Sequence, residues 1–169
     1  MSTETPTHDR YGHAVDVVTG AVSGLAAGVF GSIVLTLAGS TGVVSRATPA
    51  LVGIEPPAPV AGWLLFVLVS VGLGGVYAGV VDAVGVDPDR PSGGALAGAV
   101  YGLALWLVVA ILGIPAALSA VGYAGAPPLP YLDPVALAGY VGFGAVVGWF
   151  HAALAPGVPA EPPADSVTP

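Results

Sequence analysis

The chain has 169 residues, of which 55% are hydrophobic and only 8% charged, with mean hydropathy +0.89 and a formal net charge of −7. A soluble domain carries about a quarter charged residues, so this is the composition of an integral membrane protein, and four spans of about 20 residues leave no room for a separate soluble catalytic domain. Cysteine and lysine are both absent, which removes disulfides, thiolate nucleophiles, thiolate metal sites and Schiff bases, and an acidic surface repels polyanions such as nucleic acid.

Residues 1–16, MSTETPTHDRYGHAVD, read as a polar tail without the basic start and short apolar core of a secretory signal. His8 and His13 flank Asp9, Arg10 and Tyr11, but no third ligand is near, so no metal site is expected. Between Asp16 and Arg46 no residue carries a charge, and a first span is expected over about 17–39. Gly20, Gly24 and Gly28 recur every four residues along one face, the spacing that lets a second backbone approach closely in lipid. The connection that follows, about 42–60, holds Pro49, Pro56, Pro57 and Pro59 yet also Leu51, Val52 and Ile54; it is expected to fold back on the bundle or lie in the interface.

A second span is expected over 61–82, with Trp63 as an interfacial anchor and Gly75 and Gly79 as its close-packing face. Asp82 closes it. A turn bearing Asp87, Asp89 and Arg90 leads to the third span, 92–114, whose Gly94, Gly98 and Gly102 repeat the four-residue spacing. A second apolar, proline-broken connection precedes the fourth span, 134–155, which opens on Pro134, carries Gly144 and Gly148 and holds one polar exception, His151. Residues 156–169 are proline-rich and acidic and are expected to be disordered.

These segments predict an all-α fold: a polytopic four-helix membrane bundle spanning residues 17–155, made of two repeated helical hairpins. A displacement of 74 residues carries Gly20, Gly24, Gly28 and Gly39 onto Gly94, Gly98, Gly102 and Gly113. A displacement of 69 carries Gly75 and Gly79 onto Gly144 and Gly148, and Asp82 onto His151. Hairpins with two spans each point the same way, so their pseudo-twofold axis runs along the membrane normal. Arg10 and Arg90 fall on one side and Arg46 on the other, which favours cytoplasmic termini in a multi-pass cell-membrane protein. Acidic surface, missing lysine and abundant Ala, Gly and Val suit a source living in concentrated salt.

GWLLF at 62–66, GGVYAGV at 74–80, GAVYGLALWLVVAILGIP at 98–115 and GYVGFGAVVGWFHA at 139–152 resemble the segments of small four-span proteins of halophilic archaea, a family of unknown function in which some members are labelled histidine kinase. Where that family carries histidines in the second and fourth spans, this chain has Phe66 and Tyr140. A kinase needs a phosphate cradle and metal-holding side chains on a polar domain, and the sequence offers neither. GGALAG at 93–98 lacks the preceding strand and following lysine of a phosphate loop.

No catalytic residue, cofactor or metal ligand set is therefore expected, and the chain reads as a non-enzyme. The candidate polar site is Asp82 and His151, expected at equivalent depth near the cytoplasmic helix ends, with Tyr77 and Tyr101 as hydrogen-bonding or gap-filling groups inside spans. Two functions stay open: a scaffold or accessory subunit binding other membrane proteins or a second copy of itself, and a small-solute or proton transporter or channel. Partners are the lipid bilayer in either case.

Overall fold

Each apolar segment folds as one long helix in the computed structural model, which describes residues 7–85 and 90–154. The helices are α1 (Thr7–Leu37), α2 (Pro59–Val84), α3 (Pro91–Ala120) and α4 (Pro134–Leu154), all four long and apolar enough to cross a membrane, and no strand occurs among the described residues. The acidic tail 156–169 and the turn residues Asp87 and Asp89 lie outside the described residues, as do the side chains of His8 and His13.

Local chemistry sets the helix ends. Pro59 and Pro91 occupy the opening positions of α2 and α3, where a missing N–H costs nothing. Asp133 Oδ1 accepts from the Val135 N–H at 2.9 Å, satisfying an orphan donor at the start of α4. Gly85, at φ 67°, closes α2 in the left-handed conformation that a Cβ would disfavour.

Two ends differ from the sequence expectation. The polar tail does not stay outside the first helix, which begins at Thr7 rather than near residue 17. The third helix does not stop at Gly113 either, but continues through Pro115 to Ala120. It does so by widening: Trp106–Gly113 is π-helical, and the Ile114 N–H donates to Val109 O, five residues back. The looser turns absorb the hydrogen bond that Pro115 cannot make.

Only 17–28% of the residues in each apolar window are buried inside the bundle, so most of the aliphatic side chains face outward. Leu64, Leu68, Leu96 and Val100 are all more than 60% exposed. Such a surface suits hydrocarbon, where the drive to bury apolar area is absent and helices must be held by close contact instead.

That contact is made by backbone. A Cβ on Gly20 would lie 2.7 Å from the Ala78 Cβ, one on Gly24 would run into Ser70 O, and one on Gly28 would lie 2.7 Å from the Ser70 Cβ. From the other side, a Cβ on Gly74 would lie 2.6 Å from the Gly24 Cα. The α1–α2 seam is thus Gly20, Gly24 and Gly28 against Ser70, Gly74 and Ala78. The α3–α4 seam sets Gly94, Gly98 and Gly102 against Tyr140, Gly144, Gly148 and Ala152, with a Cβ on Gly94 placed 2.6 Å from the Ala152 Cβ. Every seam position of the first pair recurs 74 residues later in the second.

The expected packing roles of Gly75 and Gly79 are thereby corrected. A Cβ on Gly75 would meet only Val17 Cγ1, at an ordinary 3.9 Å, and one on Gly79 would meet nothing within 4 Å. Consecutive residues of a helix point about 100° apart, so Gly74 faces the seam and Gly75 is turned away from it. The displacement of 74 therefore holds in both spans of each hairpin, and the displacement of 69 does not. Gly39 and Gly113 also part company, the first at φ 68° after α1 and the second inside the π-helical stretch.

The connection after α1 folds back, as its apolar residues require. Val43–Ala47 forms a π-helical turn and Thr48–Ala50 continues it; Val44, Pro49 and Ala50 are buried. Val44 O presses on Gly62 of α2, and the Ala58 N–H donates to Ser45 O at 2.9 Å. At the end of α3 Pro115 and Leu118 are buried, and in the second connection the Tyr131 N–H donates to Ile111 O at 3.2 Å.

Candidate functional site

The two hairpins meet chiefly through α1 against α4 and, more loosely, α2 against α4, while tyrosine side chains bridge α2 and α3. Ala27, 1% exposed, is the small residue that lets α1 come close to α4. Its counterpart 74 residues on is Tyr101, whose bulk stands between α3 and α2. Its hydroxyl donates to Leu73 O on α2 at 2.8 Å, so the wider gap is bridged by a side chain instead of by backbone. Tyr77, 1% exposed, lies beside it with ring centroids 5.3 Å apart, and the Tyr77 hydroxyl donates to Gly94 O on α3 over a long 3.4 Å.

His151 completes the cluster. Its ring meets the Tyr77 ring edge to face at 5.5 Å, and the residue is only 9% exposed. Tyr77 and His151 are themselves 74 residues apart, so equivalent positions of the two hairpins touch each other where the hairpins join. Ala27, Tyr77 and Val147 form the buried centre, with Val81, Tyr101, Phe143 and Val146 packed on it. The tyrosines of the candidate site are thus core residues with satisfied hydroxyls.

Asp82 and His151 stand in different settings, His151 being buried against the Tyr77 ring. Asp82 is exposed on α2, and the residue at the depth of His151 in the first hairpin is Tyr77. Among the described residues the acid whose charge acts on His151 is Asp16, well inside α1, the helix that packs beside α4. Sequence reasoning left Asp16 as the boundary of a tail. The signal that could have found it is direction: α1 starts, and α4 finishes, on the same side of the bundle.

Buried hydroxyls find partners locally. Ser23 donates to Thr19 O and Ser70 to Phe66 O, both at 2.8 Å within their own helices. Two buried nitrogens find none among the described residues: His151 Nδ1 and Trp106 Nε1, the latter at the start of the π-helical stretch. Among the described residues no three of His, Asp and Glu converge as metal ligands.

At the opposite end, Ser32, Ile33, Thr36, Leu37 and Trp63 line an outward-facing groove of about 260 Å³. Ser32 and Thr36 spend their hydroxyls on Gly28 O and Ser32 O at 2.8 Å, which leaves the groove an apolar lining. Phe66 and Tyr140 occupy equivalent positions beside the seams: Phe66 Cζ would lie 3.5 Å from a Cβ on Gly31, and Tyr140 O abuts Gly102. No family model, curated protein or solved structure matches the chain.

Proposed function

We propose that the chain is a non-catalytic membrane protein, a scaffold or accessory subunit whose outer faces engage other membrane proteins or a second copy. The observation that carries this reading is a centre filled by Ala27, Tyr77 and Val147 inside glycine seams, while outward glycines with open space, Gly72, Gly79, Gly139 and Gly142, lie among aliphatic side chains on α2 and α4. A filled bundle with open small-residue faces suits assembly better than turnover.

The same reading takes the two hairpins as products of an internal duplication, supported by the single displacement of 74 that relates both seams. It places the chain among the small four-span proteins of halophilic archaea that its segments resemble, with termini in the cytoplasm by the placement of Arg10 and Arg90 against Arg46. Single cysteines introduced at Ser2 and Ser40 in this cysteine-free chain test the orientation: only Ser40→Cys reacts with an impermeant maleimide added to intact cells.

The function is tested by affinity capture of the tagged full chain in mild detergent at high salt, with reciprocal capture through the recovered protein. Gly79→Leu and Gly139→Leu abolish recovery if the outer faces are the docking surface. Recovery of the bare monomer under several detergents overturns the reading. A second reading, a small-solute or proton transporter, is favoured by one observation, the buried His151 at the hairpin junction. Flux into liposomes above that of protein-free vesicles decides for it.

A further inference from the structure

The displacement of 74 that relates the seams also relates what lies beside them, and at one place the two hairpins differ by a missing cover. In the second hairpin Ala110 and Ile111 are buried. There α3 runs on through Pro115 to Ala120, Leu118 is buried with it, and the Tyr131 N–H donates to Ile111 O. In the first hairpin α1 stops at Leu37, and the counterparts of that pair, Thr36 and Leu37, are exposed, Leu37 to 83%. The counterpart of Trp106, whose indole nitrogen is buried, is Ser32. An indole in one hairpin thus answers to a hydroxymethyl in the other, and Ser32 lines the groove of about 260 Å³.

The groove has a braced wall and an apolar lining. Trp63 meets Phe66 edge to face at 6.0 Å, and Phe66 lies over Gly31. With the hydroxyls of Ser32 and Thr36 spent on helix carbonyls, nothing in the lining asks for a polar ligand. At the rim the chemistry changes. The turn that bears Arg46 lies against the start of α2, with Val44 O pressed on Gly62, next to Trp63, and the Ala58 N–H donating to Ser45 O. Arg46 is exposed there and is the cation of this end of the bundle, since Arg10 and Arg90 belong to the other. Glu55, the exposed acid of the same connection, comes after the turn that the Ile54 N–H closes on Pro49 O.

We propose that this groove is a lipid-binding site, which takes one acyl chain of an anionic phospholipid in the leaflet on the Arg46 side. The phosphate sits at Arg46 and the chain runs inward along Trp63, Ile33 and Ser32. An apolar slot below a single cation matches an amphiphile with an anionic head and a hydrocarbon tail, and Trp63 stands at the headgroup level where interfacial tryptophans belong. A protein partner fits less well: a stable one covers about 20–30 residues a side, and this slot is a few side chains wide. The bound chain covers Thr36 and Leu37 as the extension of α3 and the second connection cover Ala110 and Ile111. A lipid held here needs no protein partner, so the site stands apart from the scaffold reading.

Native mass spectrometry of the full chain reads the site, after incubation in detergent with dioleoylphosphatidylglycerol, dioleoylphosphatidylcholine or glycerol 3-phosphate. The expected result is one phosphatidylglycerol retained per chain, in about fivefold preference to phosphatidylcholine, and no retention of glycerol 3-phosphate. Arg46→Gln removes the preference and keeps the weaker binding of both lipids. Ser32→Trp, which gives the first hairpin the residue of the second, abolishes retention of either lipid, and Thr36→Phe, a smaller change on the same wall, does likewise. Val100→Trp, on the exposed face of α3, leaves retention as in the parent. The proposal is overturned by equal retention of the two lipids in the parent, by retention that survives both Ser32→Trp and Thr36→Phe, or by equal loss in Val100→Trp. Binding of glycerol 3-phosphate alone, or a two-chain species that Ser32→Trp dissociates, overturns it in favour of a free phosphate or a second copy.

Discussion

The first hairpin, α1 with α2, and the second, α3 with α4, are closed by the same device and differ where they meet each other. In both, three glycines spaced by four let one helix backbone lie against the next. At the junction the residues diverge: Ala27 stands where the second hairpin has Tyr101, and Tyr77 where it has His151. The lesson is a division of labour. Seams tolerate almost no side chain and so look alike, whereas at the junction one hairpin is small where the other is large, and carries a phenol where the other carries an imidazole.

The largest expected effect comes from breaking a seam. Gly24→Leu or Gly98→Leu forces a side chain into backbone on the facing helix and abolishes the folded bundle, read as loss of a monodisperse species in detergent. Gly79→Leu, on the outer face of α2, changes thermal stability by less than about 0.5 kcal/mol. Equal sensitivity at Gly24 and Gly79 would remove the distinction between seam and outer face.

Emptying the junction ranks next. Tyr77→Ala removes a fully buried ring that touches both Tyr101 and His151 and costs about 3–5 kcal/mol, measured by reversible unfolding in mixed micelles. Tyr101→Phe sharpens the comparison, because it keeps the ring and deletes only the hydrogen bond to Leu73 O. Its cost is about 1 kcal/mol, and the loss appears as faster hydrogen exchange in α2 and α3 with α1 little changed.

The smallest effect lies outside the spans and has no counterpart in the first connection. The Tyr131 hydroxyl donates to Asp133 Oδ2 at 3.0 Å, and that hydrogen bond, with a little burial and the carboxylate's charge, raises the phenol above its ordinary value of 10. A group whose folded-state value is raised contributes stability that is complete below its unfolded value and is lost as pH rises through the folded one. The contribution is therefore present at neutral pH and disappears only in strong alkali. Tyr131→Phe removes that alkaline step and leaves the neutral-pH fold in place.

Much of this was legible in the sequence. Four uncharged stretches bounded by prolines and acids mark the helices, and Gly20, Gly24, Gly28, Gly94, Gly98, Gly102, Gly144 and Gly148 all stand in the seams where their spacing put them. The seam residues that this spacing missed are Ser70, Gly74 and Ala78 on α2 and Tyr140 and Ala152 on α4. Matching letters favoured sliding Gly75 onto Gly144, because Ser70, which is the true counterpart of Gly144, is not a glycine. A slip of five residues turns a helix face by about 140°, enough to point Gly79 at lipid and to substitute Asp82 for Tyr77 as the mate of His151. The nearness of Asp16 to His151 depends on which helices are neighbours, and four amphiphile-free helices carry no polar stripe that would reveal their order. The run of α3 through Pro115 was hidden for another reason: a π-helical stretch has no composition of its own.

The account rests most heavily on the register that joins both hairpins by one displacement, and two adjacent residues decide it. Thermal unfolding of Gly74→Ala and Gly75→Ala, side by side in the same detergent, is the direct measurement. Gly74→Ala should lose about 1–3 kcal/mol, because its new Cβ would lie 2.6 Å from the Gly24 Cα and the backbones must separate. Gly75→Ala should be as stable as the parent or slightly more so, since its Cβ meets only Val17 at 3.9 Å. A stable Gly74→Ala beside a damaged Gly75→Ala would contradict the seam and the single displacement of the two hairpins.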